Sequence, residues 1–163
     1  MKKTIYLIIL LFSIYSCQTK APTQFSEEAL NDTFITLEGN NIAFKDILKT
    51  HKGKTIVIDV WASWCKDCIE GLPKVKTLQT EFKEAVYVFL SLDKSQDAWK
   101  KGIEKYNVNG AHYFMQSGWK GPFGNFINLD WIPRYMVINK TGNITLFNAI
   151  QADDDKLTQA IKK

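Results

Sequence analysis

Residues 57–68 read Val-Ile-Asp-Val-Trp-Ala-Ser-Trp-Cys-Lys-Asp-Cys, and this stretch decides the fold. It begins inside a β-branched segment, Lys54 to Val60, that is apolar at most positions. Apolar residues on both faces predict a buried central strand. Apolar residues at helical spacing then predict a helix from about Cys65 to Phe82. Cys65 and Cys68 therefore lie where a central strand gives way to a helix.

The position of the two cysteines favours redox chemistry. A helix N-terminus carries partial positive charge and N–H donors without partners, so a thiol there loses its proton more easily. We expect Cys65 to be exposed at the first turn and Cys68 to be more shielded, one turn inward on the same face. At this spacing the two sulfurs can meet. Cys65 should attack a substrate disulfide, and Cys68 should resolve the mixed disulfide.

A zinc site is the alternative interpretation of a C-x-x-C pair, but zinc needs two further ligands. The other candidate ligands are His51 and His112, which lie in unrelated segments without ligand spacing. We interpret both as surface or structural residues, and we expect no metal and no cofactor.

The rest of the chain alternates strands and helices. Predicted strands are 33–37, 54–60, 85–92, 113–115, 134–139 and 143–148, and predicted helices are 44–48, 65–82, 96–106 and 156–162. Alternating units predict an α/β fold with parallel strands and helices on both faces of a central sheet. The first strand, followed by the turn Gly39-Asn40, is an N-terminal β extension, and the turn 140–143 adds an antiparallel hairpin, which makes the sheet mixed.

The composition is that of one globular domain: 163 residues, 45% hydrophobic and 23% charged. The formal charge of +4 includes Lys2 and Lys3 and comes with no clustered basic patch, which argues against nucleic-acid binding. Three cysteines are too few for a disulfide-dense scaffold.

The first sixteen residues are predicted to be a signal peptide. Lys2 and Lys3 precede an apolar run from Thr4 to Tyr15. Twelve helical residues rise about 18 Å, well short of the roughly 30 Å of a hydrocarbon core. The run is therefore too short for a spanning helix and fits a signal peptide, which exports the domain.

The segment Ile14-Tyr15-Ser16-Cys17 resembles a bacterial lipobox, which implies cleavage before Cys17 and a diacylglycerol on its sulfur. An uncleaved anchor, or ordinary secretion with an incidental Cys17, are the alternatives. Residues 17–29 are polar and are predicted to be a lipidated tether, which leaves 30–163 as the folded domain. The expected location is the periplasm of a bacterial cell envelope, at a membrane.

The stretch 57–68 resembles the active-site region of the thioredoxin superfamily. Three further matches support the resemblance: Asp59 lies six residues before Cys65, Pro73 lies five residues after Cys68, and Ile132-Pro133 precedes a strand and a turn. The resemblance implies a thioredoxin-like fold from about Thr33 onward. The lipobox, the early hairpin and the long interval from Cys68 to Pro133 are most similar to the TlpA/ResA-type envelope thiol–disulfide oxidoreductases.

The resemblance also implies roles for individual residues. Asp59 would be a buried proton relay to the resolving cysteine, and burial should raise the pKa of its carboxyl; a solvated edge position is the alternative. Pro133 would be cis against the cysteine pair and leave the Ile132 backbone available to an extended substrate; a trans proline in an ordinary loop is the alternative. We expect Trp61 to pack in the core and Trp64 to form an apolar platform.

The predicted function is reduction of protein disulfides by a membrane-anchored, monomeric enzyme. Its partners would be disulfide-containing envelope proteins and an upstream thiol reductant. A thiol peroxidase is a second hypothesis, although the proline of the peroxidase motif is absent before Cys65. A non-catalytic copper carrier or assembly factor is a third, although its C-x-x-x-C spacing is one residue longer. The aromatic, glycine-rich stretch 110–130 is either a packed surface loop or a partner-binding platform near the cysteine pair.

Overall fold

The computed structural model describes residues 21–163. The predicted signal peptide, residues 1–16, and the predicted lipidation site at Cys17 lie outside the described residues. From residue 21 onward, no helix is both long and apolar enough to cross a membrane.

Within residues 21–163, seven strands form one mixed sheet in the order β2-β1-β5-β4-β3-β6-β7. The strands are β1 Thr33–Ile35, β2 Asn41–Ala43, β3 Ile56–Trp61, β4 Val86–Ser91, β5 Ala111–Phe114, β6 Arg134–Ile138 and β7 Ile144–Ala149. The β3-β4 and β4-β5 pairs are parallel, and the remaining pairs are antiparallel. The predicted mixed α/β sheet and its final hairpin are confirmed.

Strand β3 lies inside the sheet, with all six of its residues buried. Its registers place Asp59 opposite Phe89 of β4 and opposite Tyr135 of β6. An aspartate in this position is surrounded by protein on both faces and on both sides. The predicted central strand is confirmed, and the edge position considered for Asp59 is wrong.

The described part of the chain also contains six helices: α1 Glu27–Leu30, α2 Phe44–Thr50, α3 Lys66–Glu81, α4 Gln96–Tyr106, α5 Pro122–Phe126 and α6 Asp155–Ile161. Helix α3 follows β3 directly and contains Pro73, as expected from the sequence. Its buried residues are Cys68, Leu72, Val75 and Leu78, whose spacing forms one apolar face toward the sheet.

The end of the predicted tether belongs to the folded domain. Ser26 caps α1, the side chain of Ala29 is buried, and the Phe25 ring packs edge-on against Phe44 at 4.9 Å between centroids. Earlier in the chain, the Thr23 carbonyl oxygen accepts a hydrogen bond from the Ile144 N–H at 2.9 Å. The boundary predicted at residue 30 was based on the polar composition of the preceding segment. Composition does not show that one aromatic residue, Phe25, packs into the core.

The stretch 110–130 contains two short elements, β5 and α5, and packs on the N-terminal extension through a buried carboxylate. Asp32 accepts hydrogen bonds from the Ser117 hydroxyl at 2.8 Å and from the Phe123 N–H at 2.9 Å. Helix α5 was not predicted, because five residues are too few to show a helical period. Its Pro122 at the first turn is a helix-start signal that the sequence does offer.

Candidate active site

Cys65 and Cys68 form a disulfide at the start of α3, with their Cα atoms 5.3 Å apart. Cys65 is the N-cap residue, and its Sγ accepts a hydrogen bond from the Cys68 N–H at 3.1 Å. Cys68 lies in the first turn. The unpartnered N–H groups of this turn and the helix dipole therefore converge on the Cys65 sulfur, where they stabilise negative charge.

The expectation that Cys65 is well exposed is wrong. Only 6% of Cys65 is exposed, and 3% of Cys68. The Cys65 sulfur is bonded to Cys68, and the loop that carries Ile132 lies against it. Cys65 nevertheless lines an open cavity of about 370 Å³, so access to the sulfur is through this cavity.

The loop before Cys65 is held by Asp93, which follows strand β4. The Asp93 carboxylate accepts from the Ser63 hydroxyl at 2.6 Å, from the Ser63 N–H at 3.1 Å and from the Ser91 hydroxyl at 2.8 Å. Gly102 of α4 packs so closely against this loop that a Cβ there would overlap the Cβ of Ser63. Asp93 was not predicted to lie near the site, although a polar residue at the carboxyl end of a buried strand is a usable signal.

The Ile132-Pro133 peptide bond is cis, as the resemblance implied. The carbonyl oxygen of Ile132 lies 3.6 Å from the Cys65 Sγ. Backbone groups of the loop therefore stand beside the sulfur that would be joined to a substrate.

Three tryptophans surround the cavity beside Cys65. Trp64 and Trp131 are 52% and 55% exposed, and Trp119 is partly buried. The cavity is lined by Trp64, Cys65, Lys66, Asp67, Trp119, Asp130, Trp131 and Ile132. Trp61, in contrast, is fully buried. Trp119 belongs to the stretch 110–130, for which a platform near the cysteine pair was one of the two interpretations. Trp131 was not singled out from the sequence, because nothing local places it beside the cysteines.

Arg134 fixes the loop that carries Trp131. Its buried guanidinium donates to the Ile127 carbonyl oxygen and to the Asp130 carboxylate, both at 2.8 Å. These two bonds bridge the segment just before the cis proline, so the position of Trp131 depends on a side chain inside the sheet.

Asp59 is buried and 4% exposed, and its Oδ1 has no hydrogen-bond partner among residues 21–163. Burial raises the pKa of Asp59 to about 8, while the neighbouring Tyr135 side chain acts in the opposite direction. A carboxyl group with this pKa can take up and release a proton near neutral pH. Tyr135 was not among the residues predicted for the site.

Among residues 21–163 no group of three or more His, Cys, Asp or Glu side chains is arranged to hold a metal ion. His51 and His112 lie apart from the cysteine pair, on the C-terminal side of α2 and in β5.

The sequence profile of the thioredoxin-like family matches residues 53–144, more than half of the chain. The chain belongs to the thioredoxin-like family. This assignment agrees with the cysteine pair at the start of α3, the cis proline and the mixed sheet.

Proteins with similar sequences are named as thiol-disulfide oxidoreductases or thioredoxin-like proteins. Over 91 residues this thioredoxin-like protein is 31% identical to the thiol-disulfide oxidoreductase ResA of Bacillus cereus, which covers 55% of this chain and 50% of ResA. It is 28% identical over 102 residues to the thioredoxin-like protein YneN of Bacillus subtilis, and the match covers 60% of this chain and 57% of YneN. The chain thus spans about half the length of these relatives.

A solved structure of a thiol-disulfide oxidoreductase from Bacteroides fragilis has the same fold. It superposes with a TM-score of 0.68 at 21% identity and covers 83% of this chain and 98% of that one.

Proposed function

We propose that this thioredoxin-like protein is a thiol–disulfide oxidoreductase that reduces protein disulfides through Cys65 and Cys68. The observation that carries the proposal is the disulfide at the N-terminus of α3, where Cys65 lines an aromatic cavity and its Sγ lies 3.6 Å from the Ile132 carbonyl oxygen. The names of the ResA relatives support the same activity.

The reaction starts from the reduced pair. The Cys65 thiolate attacks one sulfur of a substrate disulfide, which forms a Cys65–substrate bond and releases the other substrate sulfur as a thiolate that takes up a proton. The Cys68 thiolate then attacks Cys65, which forms the Cys65–Cys68 bond and releases the second substrate thiolate. Two electrons pass from the protein to the substrate, and an upstream thiol reductant must restore the dithiol.

Asp59 serves as the base for Cys68. Cys68 is as deeply buried as Asp59, so its thiol does not lose its proton readily to water. With a pKa of about 8, Asp59 is ionised in a useful fraction of molecules at neutral pH and can accept that proton.

The Trp64 ring and the Ile132 backbone form the substrate-binding surface. An extended segment of a substrate would pair with the backbone before Pro133 and cover Trp64. The proposed substrates are disulfide-containing proteins of the bacterial cell envelope. Export by residues 1–16 and a lipid on Cys17 that anchors the protein to a membrane complete the proposal, and the sequence pattern of the N-terminal segment supports both. We propose in addition that the protein acts as a monomer.

The test compares Cys65→Ala and Cys68→Ala with the wild-type full chain, each reduced and mixed with a protein disulfide. Cys65→Ala should lose reduction, and Cys68→Ala should accumulate a covalent mixed disulfide that is visible on a non-reducing gel. A Cys68→Ala protein that releases substrate as readily as the wild type would contradict the resolving role. Fast oxidation of Cys65 by peroxide, without disulfide reduction, would favour the peroxidase alternative.

A further inference from the structure

Another cavity, of about 320 Å³, lies where the C-terminal end of α2, the start of β3 and the turn after β6 meet. Its lining includes five exposed lysines, Lys45, Lys49, Lys52, Lys54 and Lys140, which we call the lysine cluster. Four of them come from one stretch of the chain, and the antiparallel pairing of β6 with β3 brings Lys140 beside that stretch. The expectation of no clustered basic patch is therefore wrong, because strand pairing joins two segments that are far apart in the sequence.

The lysine cluster accounts for the formal net charge of the chain. The two segments that line the cavity, 45–56 and 138–142, contain five of the 21 Lys and Arg residues and one of the 17 Asp and Glu residues, Asp46. The rest of the chain has 16 basic and 16 acidic residues, even with Lys2 and Lys3 of the predicted signal peptide included. The excess positive charge is thus concentrated on one face, where it produces a strong local field.

No carboxylate neutralises the lysine cluster within the described chain. Among residues 21–163 none of its five lysines forms an ion pair, whereas four lysines elsewhere do. Lys45 donates a hydrogen bond to the side chain of Asn31, which is neutral. His51 lines the same cavity, and burial followed by the charge of Lys54 lowers the pKa of its imidazole, so His51 is neutral at pH 7 and adds no charge.

Helix α2 explains only part of the lysine cluster. A lysine in the last turn of a helix interacts favourably with the helix dipole, which accounts for Lys49. Lys52, Lys54 and Lys140 lie outside the helix, so their position on the same cavity needs another explanation.

The composition of the cavity lining favours a diffuse anionic surface over a nucleic acid. Lysine acts as a point charge, whereas arginine forms the paired hydrogen bonds that fix a phosphate or a base in one orientation. The single arginine of the chain, Arg134, is buried and does not line this cavity. Among the described residues no Phe, Tyr or Trp side chain lines the cavity either, so it offers no such ring on which a base could stack.

The N-terminal segment joins the domain next to the lysine cluster. The Gln24 side chain donates a hydrogen bond to the side chain of Asn143, which directly follows Gly142 in the cavity lining. The connection from Gln24 back to Cys17 can span at most about 25 Å, even when it is fully extended. A lipid on Cys17, as proposed, would therefore keep the lysine cluster within reach of a bilayer surface.

We propose that the lysine cluster docks on the anionic phospholipid headgroups of a bilayer, as a second membrane contact beside the lipid on Cys17. The inference rests on the membrane location in the proposed function and adds the surface of the domain that contacts the membrane. Each lysine near an anionic bilayer strengthens binding, and the attraction falls off within a Debye length, about 10 Å at 0.1 M salt. The lipid holds the lysines at a high effective concentration near the headgroups, so individually weak contacts suffice.

The experiment measures binding of the full chain to vesicles of phosphatidylcholine and to vesicles of phosphatidylcholine mixed equally with phosphatidylglycerol. The ratio of the two affinities isolates the electrostatic contribution, because a lipid or an apolar segment inserts into both kinds of vesicle. The wild type should prefer the anionic vesicles by at least about tenfold at 0.1 M salt and lose this preference at about 1 M salt. Equal affinities for the two vesicles at the lower salt concentration would overturn the proposal.

A triple variant of the lysine cluster should lose most of the preference for anionic vesicles and keep its fold, because the three side chains are exposed. Its changes are Lys49→Gln, Lys52→Gln and Lys140→Gln. The matched control removes the same formal charge outside the cluster and should keep the preference. Its changes are Lys94→Gln, Lys100→Gln and Lys101→Gln. Equal losses in the two triple variants would mean that only the net charge matters, and would overturn the proposal.

Two further measurements separate the alternatives. If the cluster variant lost binding to double-stranded DNA but kept its preference for anionic vesicles, the surface would be one for nucleic acid and the proposal would be overturned. Reduction of a protein disulfide in solution should be the same in both triple variants as in the wild type, because Cys65 follows the other end of β3. A wild type that reduces no disulfide, yet shows the cluster-dependent vesicle binding, would overturn the proposed activity and support this inference.

Discussion

The carbonyl oxygen of Ile132 lies 3.6 Å from the Sγ of Cys65, although 67 positions separate the two residues in the chain. The contact joins the N-terminus of α3 to the loop before β6. A substrate sulfur bonded to Cys65 would therefore lie beside backbone groups that can pair with the substrate chain. Because backbone groups are the same in every protein, this arrangement favours recognition of extended segments of varied sequence.

Removal of the Trp64 ring should weaken substrate binding more than folding. Trp64→Ala is expected to lower kcat/KM for a protein disulfide by about tenfold, mainly through KM, because a half-exposed aromatic ring contributes on the order of 1–2 kcal/mol when a partner covers it. Its Tm should change little. Leu37→Ala is the control, since Leu37 is exposed but does not line the cavity beside Cys65. If Trp64→Ala and Leu37→Ala lowered kcat/KM equally, Trp64 would not be part of the substrate-binding surface.

Neutralising Asp59 should make the oxidised protein more stable at alkaline pH. The pKa of Asp59 is raised from about 4 to about 8 on folding, so the folded chain holds a proton that the unfolded chain loses between these values. The stability from this proton is complete below about pH 4 and is lost progressively up to pH 8, by as much as about 1.4 kcal/mol per pH unit.

Asp59→Asn removes this dependence. Urea unfolding of the oxidised protein at pH 5 and at pH 8.5 should show wild-type stability falling relative to Asp59→Asn as the pH rises. Parallel curves for the two proteins would mean that the Asp59 carboxyl is not held protonated by burial.

The close packing of α4 on the active-site loop should make Gly102 intolerant of a side chain. Gly102→Ala places a methyl group against Ser63, and the overlap is expected to cost about 1–3 kcal/mol despite the better helix propensity of alanine. Glu104→Ala, an exposed change on the same helix, should stay within about 0.5 kcal/mol of the wild type. Chemical denaturation measures the free energy of unfolding of both variants. A Gly102→Ala protein as stable as the wild type would show that the loop before Cys65 can move to make room for the methyl group.

The features that depend on local pattern could be predicted from the sequence. The run from Lys54 to Val60 is apolar on both faces, and Cys65 starts a helix, so the strand-to-helix junction is encoded within about 30 residues. The mixed sheet followed from the alternation of such units, and the cis bond before Pro133 from the resemblance to a family.

The features that depend on strand register or on contacts between distant segments could not be predicted from the sequence. Nothing in the sequence says that Tyr135 stands opposite Asp59, because the pairing of β6 with β3 brings together residues 76 positions apart. Asp93 and Trp131 also come from segments that no local pattern places beside the cysteines. The exposure of Cys65 was overestimated because an N-cap position shows which end of a helix a residue occupies, and not how closely the facing loop covers it.

The hydrogen bond between the Ile144 N–H and the Thr23 carbonyl has a consequence for orientation. Ile144 pairs with Ile138, and Ile138 pairs with Ile56 at the start of β3, whereas Cys65 follows the end of that strand. The chain thus joins the domain at the pole opposite the sulfurs, about 20 Å away along six strand residues. The proposed lipid on Cys17 lies only six positions before Thr23 in the sequence, so it would hold that pole near the bilayer. The dithiol would then face away from the membrane, toward proteins of the aqueous compartment.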